Sequence, residues 1–130
     1  MSDLATYFNH TPGTGVLSTA DCNGVVDAAV YARPHVLDDG TVAFIMPDHL
    51  THRNIRENPH AVYLFIEESA LGRKEWHGTR LYLTKIQEEK DTERLYAMRR
   101  RTADEDREGR YLVIFRVDRT RPLIGGDTVA

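Results

Sequence analysis

The chain has 130 residues, of which 41% are hydrophobic and 28% are charged, and it carries a formal net charge of −3. These values predict one soluble globular domain over residues 1–130 that can bury a single small core. The negative balance excludes a global basic field for nucleic acid, and no apolar run approaches the ~20 residues of a membrane-spanning helix. We therefore expect neither nucleic acid nor a membrane as a partner.

Cys22 is the only cysteine in the sequence. A single thiol excludes a disulfide within the chain and a metal site built from cysteines. The first eight residues lack the basic start and the apolar core of a signal peptide. These features predict a reducing, cytoplasmic location.

The N-terminal third predicts a short helix followed by an antiparallel meander. Leu4, Tyr7 and Phe8 recur at helical spacing, so the helix is expected to end before Thr11. Strands are then predicted over 16–19, 25–37 and 41–46, with turns at 21–24 and 38–40. Pro34 interrupts the second strand, and because proline has no N–H donor we expect a bulge or an unpaired position there.

The rest of the chain predicts three more strands and two helices. A helix over 51–58 is expected to stop at Pro59, because the residue before a proline is disfavoured in helical conformation. The remaining elements are strands over 62–67, 79–88 and 111–117, a polar loop over 68–76, and a helix from Asp91 or Thr92 with Leu95, Tyr96 and Met98 facing inward. Six mostly sequential strands without regular strand–helix alternation predict a mainly β fold, a small closed or split antiparallel barrel with short flanking helices.

The segment between the strands at 41–46 and 62–67 is the most informative part of the sequence. It runs from a strand end through a polar turn into a helix that starts with Thr51, His52 and Arg53. The first N–H groups of a helix have no partner within it and carry partial positive charge, so such a start can hold an anion. Phosphate is the simplest occupant.

Other motifs give weaker hypotheses. His49 and His52 stand three residues apart and could contribute to a zinc or haem-iron site. No carboxylate pair accompanies them at ligand spacing, so we expect no metal ion. The sequence has no glycine-rich nucleotide loop opening a helix, and no serine or cysteine is paired with an oriented base. Catalytic residues therefore stay unassigned.

Four consecutive segments occur in an order that matches a known protein family. They are the strand end Val30–Arg33, the hairpin at Asp39–Gly40, the strand Val42–Pro47, and the turn and helix Leu50–Pro59. Over roughly residues 12–120 the chain resembles the FMN-binding split barrels related to pyridoxamine 5'-phosphate oxidase, especially the small bacterial FMN-binding proteins. This resemblance implies a six-stranded antiparallel split barrel that forms a homodimer, with two FMN sites at the subunit interface.

The same resemblance implies which residues hold the cofactor. Phosphate contacts are expected from Arg33, Thr51, His52 and Arg53. Main chain next to the isoalloxazine ring is expected from Val30, Tyr31 and Ala32 of the second strand and from Ile45, Met46 and Pro47 of the third. Trp76 is expected either to pack at the interface or to stack near the flavin. Many relatives carry a lysine near the helix start that this chain lacks, so phosphate binding would depend on the arginines and on neutral donors.

By this resemblance the chain is an FMN-binding flavoprotein that acts as an oxidoreductase or an electron carrier, with its electron donor and acceptor unassigned. The same barrel could instead bind haem or a deazaflavin, or serve as a dimeric module without a cofactor.

Overall fold

The computed structural model describes residues 2–68, 76–98 and 109–126, and most of the polar loop predicted over 68–76 lies outside these ranges. The helices are α1 (Ser2–His10), α2 (Leu50–Glu57) and α3 (Glu93–Met98); the strands are β1 (Gly13–Ala20), β2 (Val26–Val30), β3 (His35–Val36), β4 (Val42–Pro47), β5 (His60–Glu67), β6 (Gly78–Lys90) and β7 (Arg110–Pro122). In the described ranges the seven strands form one antiparallel sheet in the order β2-β1-β5-β6-β7-β4-β3. The predicted mainly β barrel with short flanking helices is confirmed, with seven strands instead of six.

The additional strand arises because the second predicted strand, 25–37, is divided at its proline. Pro34 has no N–H to donate, and the chain leaves the ladder between Val30 and His35. The part before this break pairs with β1, and the part after it pairs with β4 at the other edge of the sheet. Only four residues join the two edge strands, so the sheet must curl until its edges lie near each other. The result is a barrel that is open between β2 and β3.

The main core fills the inside of this barrel. Strands β1 and β5 alternate buried and partly exposed residues, as expected when one face of each strand packs inward. Helix α1 packs on this core through Phe8, which is fully buried and meets Phe65 edge-on with the ring centroids 5.2 Å apart. A second apolar cluster lies under α3, where Leu95 packs with Leu112 and Ile114 of β7. The apolar stripes predicted for both helices are therefore the faces that pack.

Helix α2 is fixed to the barrel by buried polar side chains. The Asn54 amide donates a hydrogen bond to the Thr19 hydroxyl at 3.1 Å, and both residues are buried. His52 is also fully buried, with Nε2 3.0 Å from Glu88 Oε1 and its ring stacked on Tyr111 at a centroid distance of 3.7 Å. Because a buried polar group left unpaired costs about 1–3 kcal/mol, these contacts hold the helix in one position.

Glu88 is held in its ionised form by this arrangement. Burial raises its pKa, but hydrogen bonds from Lys85 Nζ at 2.7 Å and from His52 outweigh that effect and leave the pKa below its usual value. The other ring nitrogen of His52, Nδ1, has no hydrogen-bond partner among the described residues and lies 3.9 Å from Asp48 Oδ1. The imidazole is thus oriented mainly through Glu88 and the tyrosine ring beneath it.

Replacing Glu88 with glutamine should destabilise the protein at neutral pH and have less effect in acid. A folded-state pKa below the unfolded value means that the carboxylate adds stability above its ordinary pKa. That contribution is lost as the pH falls through the folded-state pKa. Urea unfolding at a series of pH values, from neutral down to the range in which carboxylates protonate, measures the difference between Glu88→Gln and the wild type.

The matched control is Glu68→Gln, which removes an exposed carboxylate directly after the end of β5. This control should follow the wild-type curve. A destabilisation by Glu88→Gln that stays constant from neutral to acid pH would show that the charge of Glu88 does not hold His52.

Candidate cofactor site

The start of α2 offers unpaired main-chain donors. Its N-cap residue, His49, has extended backbone and makes no side-chain capping bond. The first helical bond runs from the Arg53 N–H to the His49 carbonyl oxygen at 3.1 Å. The N–H groups of Leu50, Thr51 and His52 precede that bond and so have no partner within the helix. They give this end of the helix its positive partial charge and can donate to an anion.

Side chains around the helix start add a hydroxyl, a phenol and a guanidinium. Burial raises the pKa of the Tyr31 phenol, and the smaller opposing effects of a hydrogen bond with Thr51 and of the Arg110 charge mark both groups as its neighbours. Thr51 is itself buried. Arg110 begins β7 directly opposite Pro47, the last residue of β4. This combination of neutral donors and a nearby cation suits an anionic group such as a phosphate.

The opening of the barrel lies beside this helix start. Strand β3 pairs only with Val42 and Ala43, so the edge of β4 beyond Ala43 has no strand partner among the described residues. The ring of Tyr31 meets that of Phe44 edge-on at 6.0 Å, which places the chain after β2 next to this free edge. Segments 30–32 and 45–47 therefore form the two sides of one opening. Within them the Tyr31 N–H and carbonyl and the Pro47 carbonyl are already hydrogen-bonded, to Gly15, Tyr63 and His49.

Several residues predicted as cofactor contacts border this opening. They are Val30, Tyr31, Ala32, Ile45, Pro47 and Thr51. Met46 lies in the same strand, but its side chain is fully buried in the core. His52 lies in the first turn of α2, and its side chain is committed to Glu88. Of these two residues, only the main-chain N–H of His52 lacks a partner within its own element. Arg53 is exposed on the helix surface just beyond them.

Arg33 has a structural role that the sequence gives no means of predicting. Its Nη1 donates to the carbonyl oxygens of Phe8 at 2.7 Å and of Thr11 at 3.5 Å. These carbonyls lie at and just beyond the end of α1, where main-chain acceptors lack helical partners. The guanidinium therefore ties α1 to the segment between β2 and β3.

Trp76 lies at the other end of β6 from the contact that anchors α2. Its side chain is 47% exposed, and it stands two residues before Gly78, the first residue of the strand. Glu88, which bonds His52, lies ten residues further along the strand. At ~3.3 Å per residue this is roughly 33 Å of strand. Within one chain, the tryptophan and the start of α2 are thus joined to opposite ends of β6.

Arg110 is the residue at this site that sequence reasoning missed. It follows residues 99–108, which lie outside the described ranges, and it belongs to no sequence motif. Its position becomes apparent only from the pairing of β7 with β4, which sets Arg110 opposite Pro47. A cation at the first residue of a strand is a usable signal only once the partner strand and register are known.

Two further properties concern the described residues as a whole. Residues 2–68, 76–98 and 109–126 contain no group of three or more His, Cys, Asp or Glu side chains that could hold a metal ion. None of the helices in these ranges has the length and apolarity needed to cross a membrane.

Comparison with known proteins gives matches among solved structures alone. No protein-family model matches the sequence, and no curated protein does. An FMN-binding protein from Syntrophomonas wolfei matches with a TM-score of 0.78 and 19% identity over 95% of this chain and 85% of that one. A protein described as a putative pyridoxamine 5'-phosphate oxidase from Lactobacillus delbrueckii matches at 0.65 and 12% identity, covering 92% and 91%. HutZ, described as a heme storage protein from Vibrio cholerae, matches at 0.68 and 16% identity, covering 91% and 89%.

At these identities the likeness concerns the fold. It extends over nearly the whole chain. The resemblance read from the sequence is therefore confirmed at the level of architecture: the chain has the split-barrel fold of the pyridoxamine 5'-phosphate oxidase-related proteins.

Proposed function

We propose that this protein binds FMN, with the phosphate at the start of α2 and the ring in the opening of the barrel. The observation that carries the proposal is the uncapped helix start. Three N–H groups and the buried Thr51 lie at this start, and the charge of Arg110 acts on the neighbouring Tyr31. The Asp48 carboxylate, 3.9 Å from His52 Nδ1, is exposed to solvent. The fold neighbour described as an FMN-binding protein supports the choice of ligand.

Binding a phosphate needs positive charge as well as hydrogen-bond donors, and this site offers both. A phosphate at neutral pH carries between one and two negative charges, and its bonds to a guanidinium are about twice as strong as neutral hydrogen bonds. Arg110 takes the role that the sequence resemblance gave to Arg33, because Arg33 is bonded to the end of α1. Arg53 can add a second charge from the solvent side, since it is exposed in the first turns of the same helix.

A flavin ring needs an apolar wall and polar groups at its edge, and the two sides of the opening can supply both. The main-chain groups of Ile45, which face the same edge as those of Ala43, can read the polar edge of the ring, and Val30 supplies apolar surface next to them. FMN, when bound, supplies transfer of hydride or single electrons; the chain supplies orientation and exclusion of water. These roles of cofactor and chain are those of an oxidoreductase or an electron carrier. No catalytic residue is assigned.

A homodimer forms part of the proposal. Val30 is 75% exposed and Leu50 is 49% exposed, and these apolar side chains flank the opening and the helix start. A second copy covering them would close the site against water, and Trp76 of one copy could then approach the ring held by the other. The exposed thiol of Cys22 supports a reducing compartment such as the cytoplasm.

A haem-binding role is the second candidate, because the fold neighbour HutZ is described as a heme storage protein. The absorption spectrum of the purified protein discriminates between the ligands. Absorbance near ~450 nm supports FMN, and a Soret band supports haem. A colourless protein that takes up neither ligand would favour a module without a cofactor.

Removing the guanidinium of Arg110 should weaken FMN binding selectively. A charge-assisted hydrogen bond contributes roughly 1.5–3 kcal/mol, so Arg110→Ala should raise the Kd for FMN by about ten- to a hundredfold. Riboflavin, which has the same ring without the phosphate, should bind this variant nearly as well as it binds the wild type. Quenching of flavin fluorescence gives both constants.

The matched control is Arg56→Ala, which removes an exposed arginine from the last turn of the same helix. It should leave both constants unchanged. If Arg110→Ala weakens FMN and riboflavin equally, then Arg110 supports the fold and the phosphate lies elsewhere.

Placing a charge beside the opening should dissociate the dimer and remove the cofactor together. Val30→Glu or Leu50→Glu puts a carboxylate on the surface that a second copy would bury, and burying an unpaired charge is strongly unfavourable. Sedimentation velocity should show a monomer, with FMN affinity reduced in parallel. Ile86→Glu, at an exposed apolar position in β6, is the control and should remain dimeric. A monomeric variant that binds FMN at full strength would remove the shared site from the proposal.

A further inference from the structure

A second cleft lies on the outer face of the sheet, beyond the C-terminal end of α2. Its volume is about 500 Å³, within the range that holds a drug-sized molecule. Apolar walls come from Ala20, Val26 and Val62, and the polar groups at its margin include His60 and Arg119. None of these residues belongs to the proposed FMN site, which lies at the other end of α2.

A chain of hydrogen bonds fixes the chemistry that His60 presents to this cleft. Its Nδ1 lies 3.3 Å from Thr84 Oγ1, and the Thr84 hydroxyl donates to Asp118 Oδ2 at 2.5 Å. Hydrogen bonds from Thr84 and then from Arg116 lower the pKa of Asp118, so this carboxylate is ionised at neutral pH and can only accept.

The direction of these bonds determines the tautomer of the histidine. The Thr84 hydroxyl hydrogen is committed to Asp118, so Thr84 Oγ1 must accept from the Nδ1–H of His60. In the neutral imidazole the proton is therefore on Nδ1, and Nε2 keeps its lone pair. Nε2 has no hydrogen-bond partner among the described residues, and the His60 main chain is held by the Asn58 side chain at 3.1 Å. The imidazole thus presents a fixed acceptor.

A β-bulge gives Asp118 its orientation. Tyr82 of β6 pairs with Arg119 and the next residue, Leu83, pairs with Val117, so Asp118 is an extra residue in β7. Bulges of this kind redirect a side chain and are frequent beside functional sites. The extra residue lies within hydrogen-bonding distance of Thr84, whose ladder partner is Arg116.

The opposite wall of the cleft presents a flat cation. The guanidinium carbon of Arg119 lies 4.5 Å from the centroid of the Tyr82 ring, a cation–π arrangement that holds the guanidinium over the ring. Arg121 donates to the Tyr82 hydroxyl at 3.0 Å and so fixes the ring itself. A planar ligand can lie against such a surface and the neighbouring valines.

We propose that this cleft binds a hydroxy-aromatic molecule of the phenol class, whose hydroxyl donates a hydrogen bond to His60 Nε2 and whose ring lies between the apolar wall and Arg119. A free carboxylate or phosphate fits less well. It would bring no donor to the lone pair of His60, and it would approach the ionised Asp118. The proposal is independent of the FMN site, because the two share no residue.

The test compares two probes that differ by one hydrogen-bond donor, 4-methylphenol and 4-methylanisole. Isothermal titration with the full chain should show saturable binding of the phenol, with the ether weaker by about three- to tenfold, the range expected for one neutral hydrogen bond. His60→Leu should remove this preference by weakening the phenol alone. Thr84→Val should reduce it as well, because the histidine then loses the partner that fixes its tautomer.

The control variant is His10→Leu, which removes an exposed histidine at the end of α1 and should leave both affinities unchanged. Circular dichroism confirms that each variant is folded. Equal binding of the two probes by the wild type, or an unchanged preference in His60→Leu, would overturn the proposal. If the phenol does not bind and Val26→Glu dissociates a dimer of the protein, the cleft is an interface with a second copy of the chain. That result would also overturn the proposal.

Discussion

The seating of α2 on the barrel is the constraint on which the rest of the structure depends. The helix has polar residues on its inward face, and each of the bonds that hold it crosses to a distant strand: Asn54 to Thr19 in β1, and His52 to Glu88 in β6. Buried polar groups stabilise one geometry because any displacement leaves them unpaired. The position of the helix start beside Tyr31 and Arg110 follows from these contacts.

The opening of the barrel has an equally local cause. Pro34 cannot donate to a ladder, so the second strand stops and the chain crosses from one edge of the sheet to the other within four residues. Two strand edges then lie near each other without pairing, which leaves main-chain groups of Val30 and Ile45 without a ladder partner on that side. The helix supplies a positive end at that place, and the combination is the basis for the proposed phosphate site and ring site.

The parts of this architecture that depend on local rules could be predicted from the sequence. The stripe with Phe8, the break at Pro34 and the end of α2 before Pro59 are examples, because each depends on neighbours within a few residues. Arg33, Glu88 and Arg110 could not be placed in this way. Arg33 bonds carbonyls 25 and 22 residues earlier in the chain. The side on which Glu88 lies depends on a register shift in β6 after Lys85, which inverts the alternation of the strand. Arg110 depends on the pairing of β7 with β4.

The most direct test of this account is a crystal structure of the protein grown with FMN. We expect the phosphate within hydrogen-bonding distance of the N–H groups of Thr51 and His52 and of the Arg110 guanidinium, with the ring between the chain after β2 and the free edge of β4. His52 should remain bonded to Glu88, because the phosphate is expected to contact the main-chain N–H of His52 and not its ring. A flavin bound with its phosphate away from the start of α2, for example in the cleft beside His60, would contradict the central claim that the seated helix creates the cofactor site.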